Sequence, residues 1–190
     1  MPITELDERT ALVLIDLQYG IEWMLGPDLV AGPAQAGGRL ARAFRARGLP
    51  VVLVRVAHSA DGGDRPRNRV TMRRPAVRPP DGWTEILDAV GPADTDVVVT
   101  KRQPGAFYGT DLDLQLRRRG VTGIALGGIA TSLGVESTGR AAFDHGYNIA
   151  FIADAMADPD PQAHQHSLER IFPALGEVGP AAACIGLLEY

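Results

Sequence analysis

The chain is short of cysteine, of long apolar runs and of excess positive charge. Its one cysteine, Cys184, excludes an internal disulfide and fits a reducing compartment, so a cytoplasmic protein is the expectation. No apolar run approaches the roughly 20 residues that cross a bilayer. The opening Met1-Pro2-Ile3-Thr4-Glu5 lacks the basic region and apolar core of a signal peptide, and no membrane partner is expected. A net charge of -4 supplies no global basic field for nucleic acid. Neither G-x-G-x-x-G nor G-x-x-x-x-G-K-[ST] occurs, which removes the usual support for a nucleotide cofactor. Paired cysteines and histidine clusters of zinc spacing are missing too. His164 and His166 stand two apart on an expected helix, so they do not share a face and make a poor metal pair. No cofactor and no metal are expected.

What is present fits one soluble domain spanning residues 1–190. The sequence is 45% hydrophobic and 22% charged, and a chain of this length buries roughly 70% of its unfolded surface. Five short, nearly continuous apolar runs stand out: Ala11–Ile15, Val51–Val56, Val97–Val99, Ile124–Leu126 and Ile149–Ala153. Such runs read as strands buried on both faces, as in a parallel sheet. Helical segments lie between them. Pro33–Arg47 carries Leu40, Ala43 and Phe44 at helical spacing and stops at Gly48. Asp111–Arg119 closes on three arginines before Gly120, and Gly134–His145 ends at Gly146. Cations in the last turn followed by glycine are helix-end chemistry. Alternating strands and helices predict a doubly wound α/β layer fold. One stretch, Ser59–Trp83, breaks the rhythm. It holds six arginines against three aspartates; a loop of this length is usually a functional lid, an interface arm or disordered, and the expectation places it near the crevice or a subunit contact.

In open parallel sheets, ligands bind beyond the carboxyl ends of the strands. Asp16 follows the first run, Lys101 follows the third, and Gly127–Gly134 follows the fourth as a turn into a helix. Together these ends offer a carboxylate, an ammonium and backbone N–H groups at a helix start. The pKa of such a carboxylate depends on burial and on its partner, and the helix start favours negative charge. Each feature alone has a plainer reading as a turn, a cap or a solvated charge; their convergence predicts a site. His58, after the second run, is within reach of the same crevice.

Asp16-Leu17-Gln18, Lys101 before Gly105–Leu112, and Gly128-Ile129-Ala130-Thr131 before Val135-Glu136-Ser137-Thr138 resemble the isochorismatase-like (cysteine hydrolase) superfamily in order and spacing. Gly146-Tyr147 and Ala153–Asp158 fit the same pattern, so the likeness runs from about residue 10 to 175. The resemblance implies a mostly parallel six-stranded sheet flanked by helices, and a homodimer or homotetramer. It implies Asp16 and Lys101 as catalytic residues. It implies Gln18, Phe107, Ile129, Ala130, Ser132 and Gly134 as oxyanion and substrate contacts, with a cis peptide between Ile129 and Ala130. Most members carry cysteine where this chain has Gly134. The Asp-x-His metal pattern of the nicotinamidase branch is also missing after Val56. A second branch fits better: true isochorismatases lack the cysteine and split a vinyl ether, with the aspartate protonating the enol carbon. The residues Ser132–Glu136 depart from that branch's usual pattern and look more like a subgroup of bacterial relatives that also has glycine here, from which Pro104 departs in turn, standing where that subgroup usually shows a bulky aromatic. The expectation is a cysteine-independent hydrolase acting on a small anionic metabolite, with vinyl-ether hydrolysis favoured. The alternatives are an amidase using water activated by Asp16, and a non-catalytic binding protein.

Overall fold

Strand β1 (Thr10–Ile15) is buried at every position, as the middle of a parallel sheet requires. The computed structural model describes residues 3–71 and 79–189. In it six strands form one sheet in the order β3-β2-β1-β4-β5-β6, every neighbouring pair parallel. The remaining strands are β2 (Val51–Val56), β3 (Val97–Lys101), β4 (Gly123–Ile129), β5 (Asn148–Ala157) and β6 (Glu177–Gly179). The chain walks outward from β1 to β3, then returns to β4 on the other side of β1. The carboxyl ends of β1 and β4 therefore flank the point where strand order reverses, which is where such sheets open a crevice.

Side-chain alternation along β1 feeds two apolar layers. Leu12 and Leu14 point into a core shared with α1 (Tyr19–Leu25), α2 (Pro27–Ala46) and α6 (Ala181–Leu188). Ala11, Val13 and Ile15 point into a second core with α3 (Leu112–Arg118), α4 (Glu136–Asp144) and Phe172. The short helix α5 (Pro161–His166) opens with Asp160, whose carboxylate accepts from the Gln162 and Ala163 N–H groups, an N-cap in the usual sense. No helix among the described residues is long and apolar enough to cross a membrane.

The five apolar runs all fall in strands, and each helix segment finds its place, with shifted limits. The helix expected from Pro33 starts at Pro27, because Gly26 at φ 89 ends α1 and Pro27 takes a first-turn position where its missing N–H costs nothing. The segment expected to be helical from Gly134 begins earlier, as one wide π turn over Thr131–Val135 before α4. The sixth strand has only three residues and no apolar run to mark it. One glycine is dictated by the site. Gly128 has φ 130, and a Cβ there would lie 2.1 Å from the Ile15 carbonyl oxygen. Only glycine lets β4 pass this close to the end of β1.

Phe151 of β5 and Phe172 stack with ring centroids 4.0 Å apart and planes within 2°, both fully buried. Phe172→Ala should destabilise the fold by about 3–5 kcal/mol, the range for truncating a core aromatic. Val98→Ala, at a half-exposed position on β3, should stay within about 0.5 kcal/mol. Urea unfolding of both variants checks this; equal midpoints would contradict the packing described.

Candidate active site

Asp16 is the first residue past β1 and has φ 55, in the left-handed region that few residues other than glycine occupy. Its N–H donates to the Val54 carbonyl (2.8 Å), which holds the turn against β2. A conformation of this kind costs on the order of 1–3 kcal/mol and persists only where the surroundings enforce it. Here it aims the carboxylate across the top of β2 to Lys101, the last residue of β3. Lys101 Nζ donates to Asp16 Oδ2 at 2.7 Å and to the Gln103 carbonyl at 3.2 Å. Lys101 is 2% exposed and Asp16 6%. Lys101 is also the only lysine in the chain. The other carboxylate oxygen, Oδ1, is buried and has no partner among the described residues.

Burial pushes the Asp16 carboxyl up to about 6, working against the Coulombic pull and hydrogen bond of Lys101. The group therefore holds its proton far closer to neutrality than a solvated aspartate does.

The pair lies at the bottom of a cavity of about 330 Å³, the low end of the range for small-molecule sites. Ile129, Ala130 and Gly134 line it beside the pair. The Ile129–Ala130 peptide is cis, as the resemblance implies. The Ala130 N–H has no backbone acceptor among the described residues. A Cβ built on Gly134 would stand 3.7 Å from Asp16 Oδ2, 3.3 Å from the Ile129 carbonyl oxygen and 3.2 Å from Ile15 Cγ2. Gly134 thus occupies the position that faces the carboxylate, and it leaves that space empty. No cysteine, serine or threonine lines the cavity among the described residues. Cys184 is fully buried in α6, where burial alone pushes its thiol up to about 12.

The opposite wall is apolar. Ile21, Trp23, Met24 and Leu25 of α1 supply it, with Trp83 and Leu133; α1 had no forecast in the sequence. The mouth is cationic. His58, Arg65 and Arg102 line it. Arg102 is paired with Asp64, which also accepts from the Ser59 N–H and hydroxyl. His58 rests on Trp83 with centroids 6.3 Å apart. Its Nδ1 is buried without a hydrogen-bond partner among the described residues. Burial and the neighbouring Arg65 hold its pKa below the usual value. The described part of Ser59–Trp83 therefore borders the crevice. Arg73 and Arg74, the arginine pair of that segment, lie outside the described residues.

Three residues expected to face a substrate are engaged elsewhere. Gln18 is fully buried, and its amide clamps main chain: Nε2 donates to the Val56 and Trp83 carbonyls, and Oε1 accepts from the Val56 N–H. Phe107 stacks on His145 and leans on Tyr147, away from the cavity lining. Ser132 donates both its N–H and its hydroxyl to Asp158 Oδ2, each at 2.7 Å. Asp158 was missed by sequence reasoning. It ties the first turn after the cis peptide to the end of β5, and Thr131 Oγ1 reaches His164 Nδ1 at 2.8 Å in the same seam. His164 is thereby a bracing residue of the turn. Among the described residues no cluster of three or more histidine, cysteine or acidic groups could hold a metal ion.

Comparison with known proteins agrees with this architecture. The isochorismatase domain profile matches residues 10–183. An uncharacterised isochorismatase family protein of Escherichia coli O157:H7, YecD, is 45% identical over 172 residues, covering 90% of this chain and 92% of its own. The ureidoacrylate amidohydrolase RutB of Methylobacterium radiotolerans is 33% identical, covering 96% of this chain and 80% of its own. The solved structure of an isochorismatase family protein from Burkholderia thailandensis superposes with a TM-score of 0.92 at 42% identity, covering 97% and 98% of the two chains. The chain belongs to the isochorismatase family of hydrolases.

Proposed function

We propose that this chain hydrolyses a small anionic metabolite without a covalent enzyme intermediate, using Asp16 as general acid, and that the scissile group is a vinyl ether. The observation that carries the reading is the Asp16 carboxyl: buried, pushed up to about 6, one oxygen unpartnered among the described residues, and facing Gly134, which has no side chain to act as a nucleophile. Asp16 delivers its proton to the terminal carbon of the enol ether. The electron pair of the carbon–carbon double bond forms the new C–H bond and leaves an oxocarbenium ion. Water adds to that cation and returns one proton to the Asp16 carboxylate; the hemiketal then collapses, its hydroxyl proton passing to the departing oxygen, to give a ketone and an alcohol. Lys101 stabilises the carboxylate that remains. Burial and Lys101 act in opposite directions, and their balance sets the proton near working pH, where general acids are most effective. Arg65, which lines the cavity and has no carboxylate within 4 Å among the described residues, suits a carboxylate group on the substrate. The space above Gly134 admits the reacting carbon close to the pair. The Ala130 N–H, which has no backbone acceptor among the described residues, is the main-chain donor we assign to a substrate carboxylate or oxyanion.

The amidohydrolase RutB among the relatives favours a second reading, in which ionised Asp16 activates water against an amide. The two readings demand opposite protonation states. We further infer a homodimer or homotetramer, supported by Trp23, Met24 and Leu133, which are each nearly half exposed at the cavity mouth.

The pH profile separates acid from base. Asp16 is protonated below about 6 and ionised above it. Vinyl-ether hydrolysis should show kcat/KM falling as pH rises through about 6, with pyruvate-type product followed by mass spectrometry. Amide hydrolysis would show kcat/KM rising through the same value, with ammonia released. Asp16→Asn mimics the protonated shape without a transferable proton. It should fold normally by circular dichroism and lose about 10²–10⁴ in kcat; near-normal turnover would refute the role of Asp16. The raised carboxyl also has a linkage consequence. The stability it contributes is complete below pH 3.8 and is lost as pH rises through about 6. The Asn variant should therefore show a flatter stability profile across that window. Finally, iodoacetamide should leave turnover intact, and Cys184→Ser should retain it. Inactivation that tracks alkylation of Cys184 would contradict a thiol-free mechanism.

A further inference from the structure

The sheet has a second concavity at its other end. It is a basin of about 980 Å³ where β2 and β3 begin, floored by Leu49, Pro50 and Val121. Five arginines line it, Arg9, Arg45, Arg117, Arg118 and Arg119, against two carboxylates, Glu8 and Asp96. The protein as a whole carries -4, so this concentration of cations runs against its overall charge. The helix end explains part of it, because Arg117–Arg119 close α3 and meet its partial negative charge. Arg9 and Arg45 come from before β1 and from α2, and that dipole does not account for them.

Four of the five guanidinium groups are held in place by hydrogen bonds. Arg45 is bidentate on Asp96 (2.9 and 2.6 Å). Arg117 is fixed by Asp113, the His145 carbonyl and the Tyr147 ring. Arg119 Nη1 donates to Gln115 at its carbonyl and side-chain oxygens. Arg9 Nη1 reaches the Arg119 carbonyl at 3.4 Å. It lies so close over the turn that a Cβ on Gly120 would stand 3.0 Å from it. Arg9, Arg118 and Arg119 have no carboxylate within 4 Å among the described residues. An arginine presents five N–H donors, so each of these three keeps charge and donors unspent. Three uncompensated guanidinium groups, two of them held by hydrogen bonds to main chain or a neighbouring amide, meet a polyanion with little ordering left to do.

We propose that this basin is an anion-binding site, separate from the active-site cavity, for an oxyanion of at least two negative charges such as a diphosphate group. Arginine forks match phosphoryl oxygens in pairs. The two sites lie at opposite ends of the strands, so the proposal stands or falls independently of the reaction assigned to Asp16.

The test is isothermal titration of the full chain with inorganic pyrophosphate, with ionic strength held constant by sodium chloride. One saturable site per chain is expected at the basin. Arg9→Gln and Arg118→Gln should each weaken it about tenfold or more, the effect of losing one charge-assisted contact. Arg65→Gln, at the mouth of the other cavity, should leave it unchanged. No saturable heat, or saturable binding that neither Arg9→Gln nor Arg118→Gln weakens, would overturn the proposal. Binding lost in Arg65→Gln and kept in Arg118→Gln would overturn it equally, by placing the anion in the other cavity.

Discussion

The contact between Lys101 Nζ and Asp16 Oδ2, 2.7 Å long and closed off from solvent, is what the surrounding structure is arranged to make. Two opposite charges buried together lose several kcal/mol of hydration each, and their attraction recovers this only in good geometry. The fold supplies that geometry from a distance of 85 residues in sequence. Strands β1 and β3 are not neighbours; β2 lies between them and sets their spacing. The left-handed turn at Asp16 throws the carboxylate over β2, and the Gln18 amide pins the segment just beyond to the end of β2 and to Trp83. Gly128 lets β4 close in from the other side. Remove any of these and the pair is left with its hydration loss and without its partner distance.

The chemistry follows from an imbalance within that contact. Lys101 alone would hold Asp16 ionised, and burial alone would hold it neutral. Burial wins, and the proton stays to about pH 6. An acid hydrogen-bonded to an ammonium group can give up its proton without creating an unpaired charge. It also needs no nucleophile nearby, which suits a site where a glycine faces the carboxylate. Apolar side chains of α1 line the cavity on one side, and His58, Arg65 and Arg102 line it as well.

Much of this was legible in the sequence, and the reasons are particular. Runs such as Ala11–Ile15 and Val51–Val56 are apolar at every step, because strands in the interior of a parallel sheet are buried on both faces. Asp16 directly follows such a run and Lys101 follows another after one threonine, Thr100, so their placement at strand ends could be read from the sequence. Lys101 carries a further signal, since every other cation of fixed charge in the chain is arginine. What stayed hidden depends on tertiary contact. A glutamine two residues past an aspartate looks like a substrate ligand, and only the returning Trp83–Leu87 segment turns Gln18 into a main-chain clamp. Ser132 looks like a site hydroxyl until Asp158, 26 residues later, claims it. Helix α1 has seven residues and strand β6 three, too few to show a period.

Because the chain has one lysine, a sample labelled with ¹⁵N-lysine gives a single side-chain ammonium signal, which reports on the pair directly. That signal should shift with a midpoint near pH 6 as Asp16 titrates beside it, and the step should vanish in Asp16→Asn. A signal that is flat between pH 4.5 and 8, or that moves only near pH 4 where a solvated aspartate titrates, would contradict the buried Asp16 carboxyl raised to about 6.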